Sequence, residues 1–146
     1  GVKIKKLVTH LTEDGYFREI LRDEDNLLDK FGQTSHSVTL PGSIKAFHYH
    51  NLQDDLWYFI SGQARVVLAD MRKDSPTKDT VQVVIMGEDD PKLVLIPKGV
   101  AHGFQVLGNK PAVLVYHTTQ HYNPNDEIRI PYDSQDIGFD WTIKNE

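Results

Sequence analysis

Gly42-Ser43-Ile44-Lys45-Ala46-Phe47-His48-Tyr49-His50 and, about fifty residues later, Ile96-Pro97-Lys98-Gly99-Val100-Ala101-His102-Gly103-Phe104 decide how this chain is read. Side chains alternate between the two faces of a strand, so His48 and His50 point one way and Tyr49 the other. The Pro97-Lys98-Gly99 turn starts a further strand carrying His102. Three imidazoles can therefore converge on one cavity inside a barrel.

Strand-like runs surround these two stretches: Ser37 to Leu40, Ser43 to His50, Leu56 to Ile60, Ala64 to Ala69, Val81 to Met86, Leu93 to Ile96, Gly103 to Leu107 and Ala112 to His117. Turn chemistry separates them at Pro41-Gly42, Ser61-Gly62, Ser75-Pro76, Asp90-Pro91, Pro97-Lys98-Gly99 and Lys110-Pro111. Strands this short bury an apolar face only by packing a second sheet on the first, which predicts an all-β sandwich or barrel. One helix of a turn or two is expected at Glu24 to Lys30. The tail from Asn123 to Glu146 reads as a wrapped extension anchored by Ile137, Phe139 and Trp141.

The chain has 146 residues, 39% of them hydrophobic, enough for a single domain spanning 1–146 with a real core. No apolar run is long enough to span a bilayer, and Gly1 to Lys6 is too short and charged for a signal peptide. With no cysteine, disulfides and thiolate metal sites are excluded, which fits a cytoplasmic location. A net charge of -5 with no basic patch argues against a nucleic-acid partner.

Written as spacing, Gly42, His48, His50, Asp55 and Gly62 resemble the first cupin motif with Asp in place of Glu, and Pro97-Lys98-Gly99-Val100-Ala101-His102 resembles the second. The resemblance implies a cupin-type jelly-roll β-barrel with a short N-terminal extension and a wrapped C-terminal tail. Within that superfamily, Ile96 to Phe104 is similar to the Ile-Pro-x-Gly-x-Ala-His-Gly-Phe segment of the dTDP-4-dehydrorhamnose 3,5-epimerases. Gly15-Tyr16-Phe17-Arg18-Glu19, Phe31-Gly32-Gln33 through Ser37, Lys45 to Tyr49, Asp70-Met71-Arg72, Ser75-Pro76-Thr77, Tyr116 to Tyr122 with Pro124, and Gly138 to Trp141 match further family segments in order.

That resemblance implies an isomerase that inverts carbon centres beside the 4-keto group of a nucleotide-linked 6-deoxy sugar. Such chemistry needs a base, an acid on the opposite face and positive charge near the carbonyl oxygen. By the match, His48 takes the base position and Tyr116 the proton-donor position, while Gln33, Lys45, His50, His102 and Tyr122 contact substrate. It further implies no metal or other cofactor, a small-molecule nucleotide sugar as partner, and a homodimer whose N-terminal segments cross.

Several positions depart from the family pattern. The lysine that steadies the enolate aligns with Asp55; opposite charges about 4 Å apart at an effective dielectric of about 20 attract by roughly 4 kcal/mol, so the reversal bears on the barrier. Lys45 replaces an arginine that grips diphosphate, and Asp14 aligns with a nucleotide-contacting arginine. The family's C-terminal aspartate that orients the catalytic histidine has no counterpart, leaving Asp55 or Asp54 as substitutes.

His50 stands where the epimerases carry Gln, and the His-x-His pair is similar to related 3,4-ketoisomerases acting on dTDP-4-keto-6-deoxyglucose. Two readings outside these isomerases stay open. His48, His50, Asp55 and His102 are a donor set for Fe, Mn, Ni or Zn in a metal cupin, and a non-catalytic sugar-binding cupin would keep the cavity alone.

Overall fold

A computed structural model describes residues 1–144. Among the described residues twelve strands are formed: β1 (Lys3–Lys6), β2 (His10–Thr12), β3 (Gly15–Phe17), β4 (Gln33–Thr39), β5 (Ile44–Tyr49), β6 (Asp55–Ser61), β7 (Gln63–Asp70), β8 (Val81–Gly87), β9 (Lys92–Ile96), β10 (Val100–Leu107), β11 (Ala112–Thr118) and β12 (Ile128–Arg129). Two five-stranded antiparallel sheets are built in the orders β1-β9-β6-β11-β4 and β12-β5-β10-β7-β8, and β2 and β3 form a separate hairpin. These are the packed sheets expected from the strand spacing, in the jelly-roll arrangement that the cupin resemblance implied. All eight expected strands are present, with edges moved by up to four residues; β1, the hairpin and β12 are additional because their exposed or very short runs carry no clear alternation.

Three apolar clusters explain why β6, β7, β9 and β10 are buried over most of their length. Between the sheets lie Trp57, Phe59, Val66, Leu68, Met86 and Phe104. The outer face of the first sheet, with Leu56, Tyr58 and Leu93, is covered by Ile20, Leu21, Leu27 and Leu28 of the N-terminal segment. The outer face of the second, with Phe47, Val67 and Ala101, is covered by Ile137, Phe139 and Trp141. The anchoring residues expected in the tail therefore do anchor it. Covering both outer faces converts alternating strands into continuously buried ones, as in β6 and β10.

The helix expected at Glu24 to Lys30 is not formed. Only a 3-10 turn, Asp23–Asp25, is present, ended by Asn26 in the left-handed region at φ 52°. Asp25 accepts from Lys5 Nζ at 2.5 Å and from the Arg22 N–H at 2.8 Å, while Leu27 and Leu28 are drawn onto the sheet. Tertiary anchoring on both sides leaves no room for a second helical turn.

One irregularity shapes the cavity. His102 pairs with His48 and Phe104 with Lys45, so over this interval β10 advances two residues while β5 advances three. The extra residue is a β-bulge, which re-aims side chains locally. Lys45 and His48, three apart in sequence, consequently line the same cavity. Gly103 sits opposite the bulge, and a Cβ there would meet the Ala46 Cβ at 2.3 Å. Glycine is the residue that lets the two backbones approach this closely.

Candidate active site

The cavity opens between the sheets. The first sheet contributes Asp55 and Trp57 from β6 and Tyr116 from β11; the second contributes Lys45 and His48 from β5 and His102 from β10. His50, just past β5, also faces in, held by its carbonyl accepting the Gly99 N–H at 2.7 Å. The two sequence stretches thus meet through their backbones before their side chains do. All eight residues assigned from sequence, Gln33, Lys45, His48, His50, Asp55, His102, Tyr116 and Tyr122, lie on its wall.

Each histidine has a defined partner on Nδ1. His48 Nδ1 lies 3.0 Å from Glu127 Oε1. Burial by itself would raise the Glu127 carboxyl, but the hydrogen bond to His48 and the Arg129 guanidinium outweigh it and hold the group below the usual carboxylate range. An ionised carboxylate accepts only, so His48 Nδ1 donates, and in the neutral ring Nε2 carries the lone pair. His50 Nδ1 donates to the Asp126 carbonyl at 2.6 Å and His102 Nδ1 to the Val100 carbonyl at 3.0 Å. Burial pushes the His102 imidazole below the usual histidine range, with Asp55 and the Val100 carbonyl offsetting this in part, so the ring is neutral.

Asp55 is buried and accepts from Gln53 Nε2 at 2.9 Å and from Trp57 Nε1 at 3.3 Å. Its Oδ2 lies 3.7 Å from His102 Nε2. Neither Asp55 nor Asp54 takes up the orienting position on His48; that expectation is corrected to Glu127. Asp54 instead accepts the Lys98 N–H at 3.0 Å and pins the Pro97-Lys98-Gly99 turn. The reason is topological: Asp55 starts β6 on the wall opposite β5, whereas Glu127 leads into β12, the strand paired directly with β5.

Glu127 was missed by sequence reasoning because it belongs to no motif and lies in an irregular tail. The available signal is Asn123-Pro124-Asn125, a turn whose Asn123 side chain caps the Asn125 N–H at 3.0 Å and so forces the next carboxylates back toward the barrel. Asp126, buried, accepts the Asn51 and Leu52 N–H groups at 2.8 and 3.0 Å, locking the tail against the His50 loop. Gln33 is partly committed within the protein: its Oε1 accepts the Tyr122 N–H at 2.8 Å and its Nε2 donates to Ser35 Oγ at 2.9 Å. This shapes the mouth, where Tyr122 is exposed. Asp14 sits in the turn of the β2–β3 hairpin and accepts from Thr12 Oγ1 at 2.9 Å.

His48 on the second sheet and Tyr116 on the first face the cavity from opposing walls. A neutral imidazole with its lone pair inward and a phenol across from it can remove a proton from one face of a substrate and return one to the other. Apart from the histidines, the acidic and basic side chains on the wall are Lys45, Asp55 and Glu127. Lys45 forms no ion pair among the described residues.

Comparison with known proteins follows the same lines. The model of the family described as dTDP-4-dehydrorhamnose 3,5-epimerase matches residues 1–146. The chain is 57% identical over 146 residues to the spore coat polysaccharide biosynthesis protein SpsL of Bacillus subtilis, covering 99% of this chain and 97% of that protein. It is 31% identical over 150 residues to a dTDP-4-dehydrorhamnose 3,5-epimerase of Methanothermobacter thermautotrophicus, covering 99% and 80%. Among solved structures, a dTDP sugar isomerase of Desulfovibrio desulfuricans superposes with a TM-score of 0.90 at 31% identity, covering 97% and 90%. A dTDP-6-deoxy-D-glucose-3,5-epimerase of Legionella pneumophila in complex with dTDP-4-keto-L-rhamnose gives 0.88 at 29% identity, covering 99% and 80%.

Proposed function

We propose a reaction for a chain that belongs to the dTDP-4-dehydrorhamnose 3,5-epimerase family: inversion at carbon next to the ketone of a nucleotide-linked 4-keto-6-deoxy sugar. His48 Nε2 takes the proton alpha to the ketone. The C–H electron pair forms the C=C bond and the carbonyl π pair moves to oxygen, giving an enolate. Tyr116 Oη then delivers a proton to the opposite face as the enolate collapses to the ketone. The observation that carries this reading is His48 held in one tautomer by Glu127 across the cavity from Tyr116. Lys45 supplies a point charge for the diphosphate. The polysaccharide role in the name of the Bacillus subtilis relative supports a nucleotide sugar destined for carbohydrate biosynthesis.

The test is incubation of dTDP-4-keto-6-deoxyglucose with the protein in deuterium oxide, followed by NMR. Label at carbon 3 or 5 that disappears in His48→Asn is expected. Tyr116→Phe should retain exchange through His48 while losing inverted product. No exchange with any of a panel of nucleotide-linked 4-keto sugars overturns the reading.

Ketone migration to carbon 3 is a second reading, favoured by His50 standing on the same wall as His48. It predicts a 3-keto product with retained chain configuration, which the same spectra distinguish.

For assembly, we take the protein as a homodimer, supported by the exposed Leu11 and Phe17 of the β2–β3 hairpin, an apolar surface a second copy would cover. Sedimentation equilibrium should give two chains per particle; a monomer at micromolar concentration overturns it. A cytoplasmic site of action is supported by the cysteine-free composition and is checked by cell fractionation.

A further inference from the structure

The ladder between β5 and β12 ends with Tyr49 opposite Ile128. Past that rung a single buried residue, Asp126, takes over the work of the ladder. Its carboxylate accepts the Asn51 N–H on Oδ1 at 2.8 Å and the Leu52 N–H on Oδ2 at 3.0 Å. Its carbonyl accepts from His50 Nδ1 at 2.6 Å. Side chain and main chain of one residue thus take donors from three consecutive residues, 50–52.

These bonds decide how His50 is held. A carbonyl only accepts, so His50 Nδ1 is the donor, and in the neutral ring Nε2 carries the lone pair. The carbonyl of His50 is fixed separately by the Gly99 N–H at 2.7 Å, so the direction of the ring follows the place of the Asp126 carbonyl. That place is set by the Asp126 carboxylate. The next residue, Glu127, holds His48 Nδ1 at 3.0 Å. Ahead of β12 the other bonds of this segment are internal: Asn123 caps the Asn125 N–H and its carbonyl accepts the Asp126 N–H at 3.0 Å. They shape the turn without fastening it to the histidines.

We propose that Asp126 is the positioning residue of both cavity histidines, setting His50 through its own carbonyl and His48 through Glu127. Asp126 does not itself line the cavity. Its catalytic consequence rests on the reaction proposed above, whereas the orientation of the two rings does not. Removing the carboxylate leaves the Asn51 and Leu52 N–H groups to water, which these exposed residues can reach, so the fold survives while the segment is freed. Asparagine at this position keeps one acceptor and sets an NH2 group against the other N–H, which breaks one of the two bonds in any protonation state of the native acid. A displacement of about 1 Å at a reacting group can cost about 100-fold in rate.

The test is first read without substrate. Protein carrying isotope-labelled histidine rings is examined by proton–nitrogen correlation NMR with the rings neutral, the His48 and His50 signals being identified by their loss in His48→Asn and His50→Gln. Each ring of the native protein is expected as one Nδ1–H tautomer. Asp126→Ala and Asp126→Asn should mix the tautomers of both rings, whereas Glu127→Gln should mix that of His48 and leave His50 unchanged. Circular dichroism checks the fold, and Asp126→Asn carries the measurement if Asp126→Ala does not fold. Turnover of a nucleotide-linked 4-keto sugar should fall about 10- to 100-fold in the Asp126 variants, with KM changed less than about threefold.

Rings unmoved in both variants, or His50 moved alone, overturn the proposal. Loss of the fold in Asp126→Asn overturns it too, because the residue is then structural. So does turnover within about twofold of native once the rings have shifted. Deuterium exchange by the native protein is the separate arm. Mixed tautomers in the variants without native exchange sink the reaction and keep the positioning of the rings; native exchange with unmoved rings sinks the positioning alone.

Discussion

Glu127 Oε1 stands 3.0 Å from His48 Nδ1, although 79 residues separate the two in the chain. β12 brings them together: Arg129 pairs with His48 and Ile128 with Tyr49, so the residue before the strand reaches over the imidazole. The carboxylate also meets Arg129 Nη2 at 3.4 Å, which keeps it ionised and pointed at the ring. The His48 ring is thereby fixed by a partner on its own sheet, as the proposed base role requires.

Replacing Glu127 by Gln removes the charge and permits the wrong tautomer. Turnover should fall about 100- to 1,000-fold with KM changed less than about threefold, by analogy with the loss of an orienting carboxylate elsewhere. Glu127→Asp should recover part of the rate. Steady-state kinetics decide the matter: an equal rise in KM, or no loss of rate, removes Glu127 from the positioning role.

Gly103→Ala probes the bulge. The added Cβ must displace Ala46 or the β5 backbone, since it would lie 2.3 Å from the Ala46 Cβ. Destabilisation of about 2 kcal/mol is expected from overpacking, together with lost activity as Lys45 and His48 shift. Urea unfolding and kinetics measured side by side would reveal a neutral substitution, which contradicts the close approach.

Asp70 gives a pH-dependent test of stability. Its carboxylate is buried and accepts from the Arg72 guanidinium at 2.9 Å and from the Ser75 and Thr77 hydroxyls at 2.5 Å each. The Arg72 contact first, opposed by burial and helped by the two hydroxyls, holds its carboxyl far below the usual range. A depressed folded value means stability that is fully present above the unfolded value and is lost progressively as pH falls below it, toward the folded value. Asp70→Asn should therefore cost about 3 kcal/mol at pH 7. The gap to the native chain should narrow steadily below about pH 4. Guanidinium unfolding across that range that shows a constant gap contradicts this assignment.

Trp141 tests the tail. Its ring packs tilted against Phe47 with centroids 5.6 Å apart, and it donates Nε1–H to the Tyr132 carbonyl at 2.9 Å. Trp141→Ala should destabilise by about 3 kcal/mol. Because Phe47 is the neighbour of His48, β5 should also loosen, seen as faster amide exchange in that strand. Exchange confined to the tail would mean that the cover and the site are uncoupled.

The sequence by itself determined the sheet content and the convergence of His48, His50 and His102, because alternation at period two and turn residues are local properties that fix which way each side chain faces. It also marked Ile137, Phe139 and Trp141 as anchors, since apolar residues in a polar tail have few other uses. Tertiary structure alone decided that Glu127 partners His48, that Asp55 faces His102, and that a bulge sets Lys45 beside His48. These depend on which strands become neighbours and in what register, and register is a property of paired strands that no single strand's pattern contains. The missing helix has the same origin: the periodicity of residues 24–30 was overruled by Lys5 holding Asp25 and by the sheet face that Leu27 and Leu28 cover.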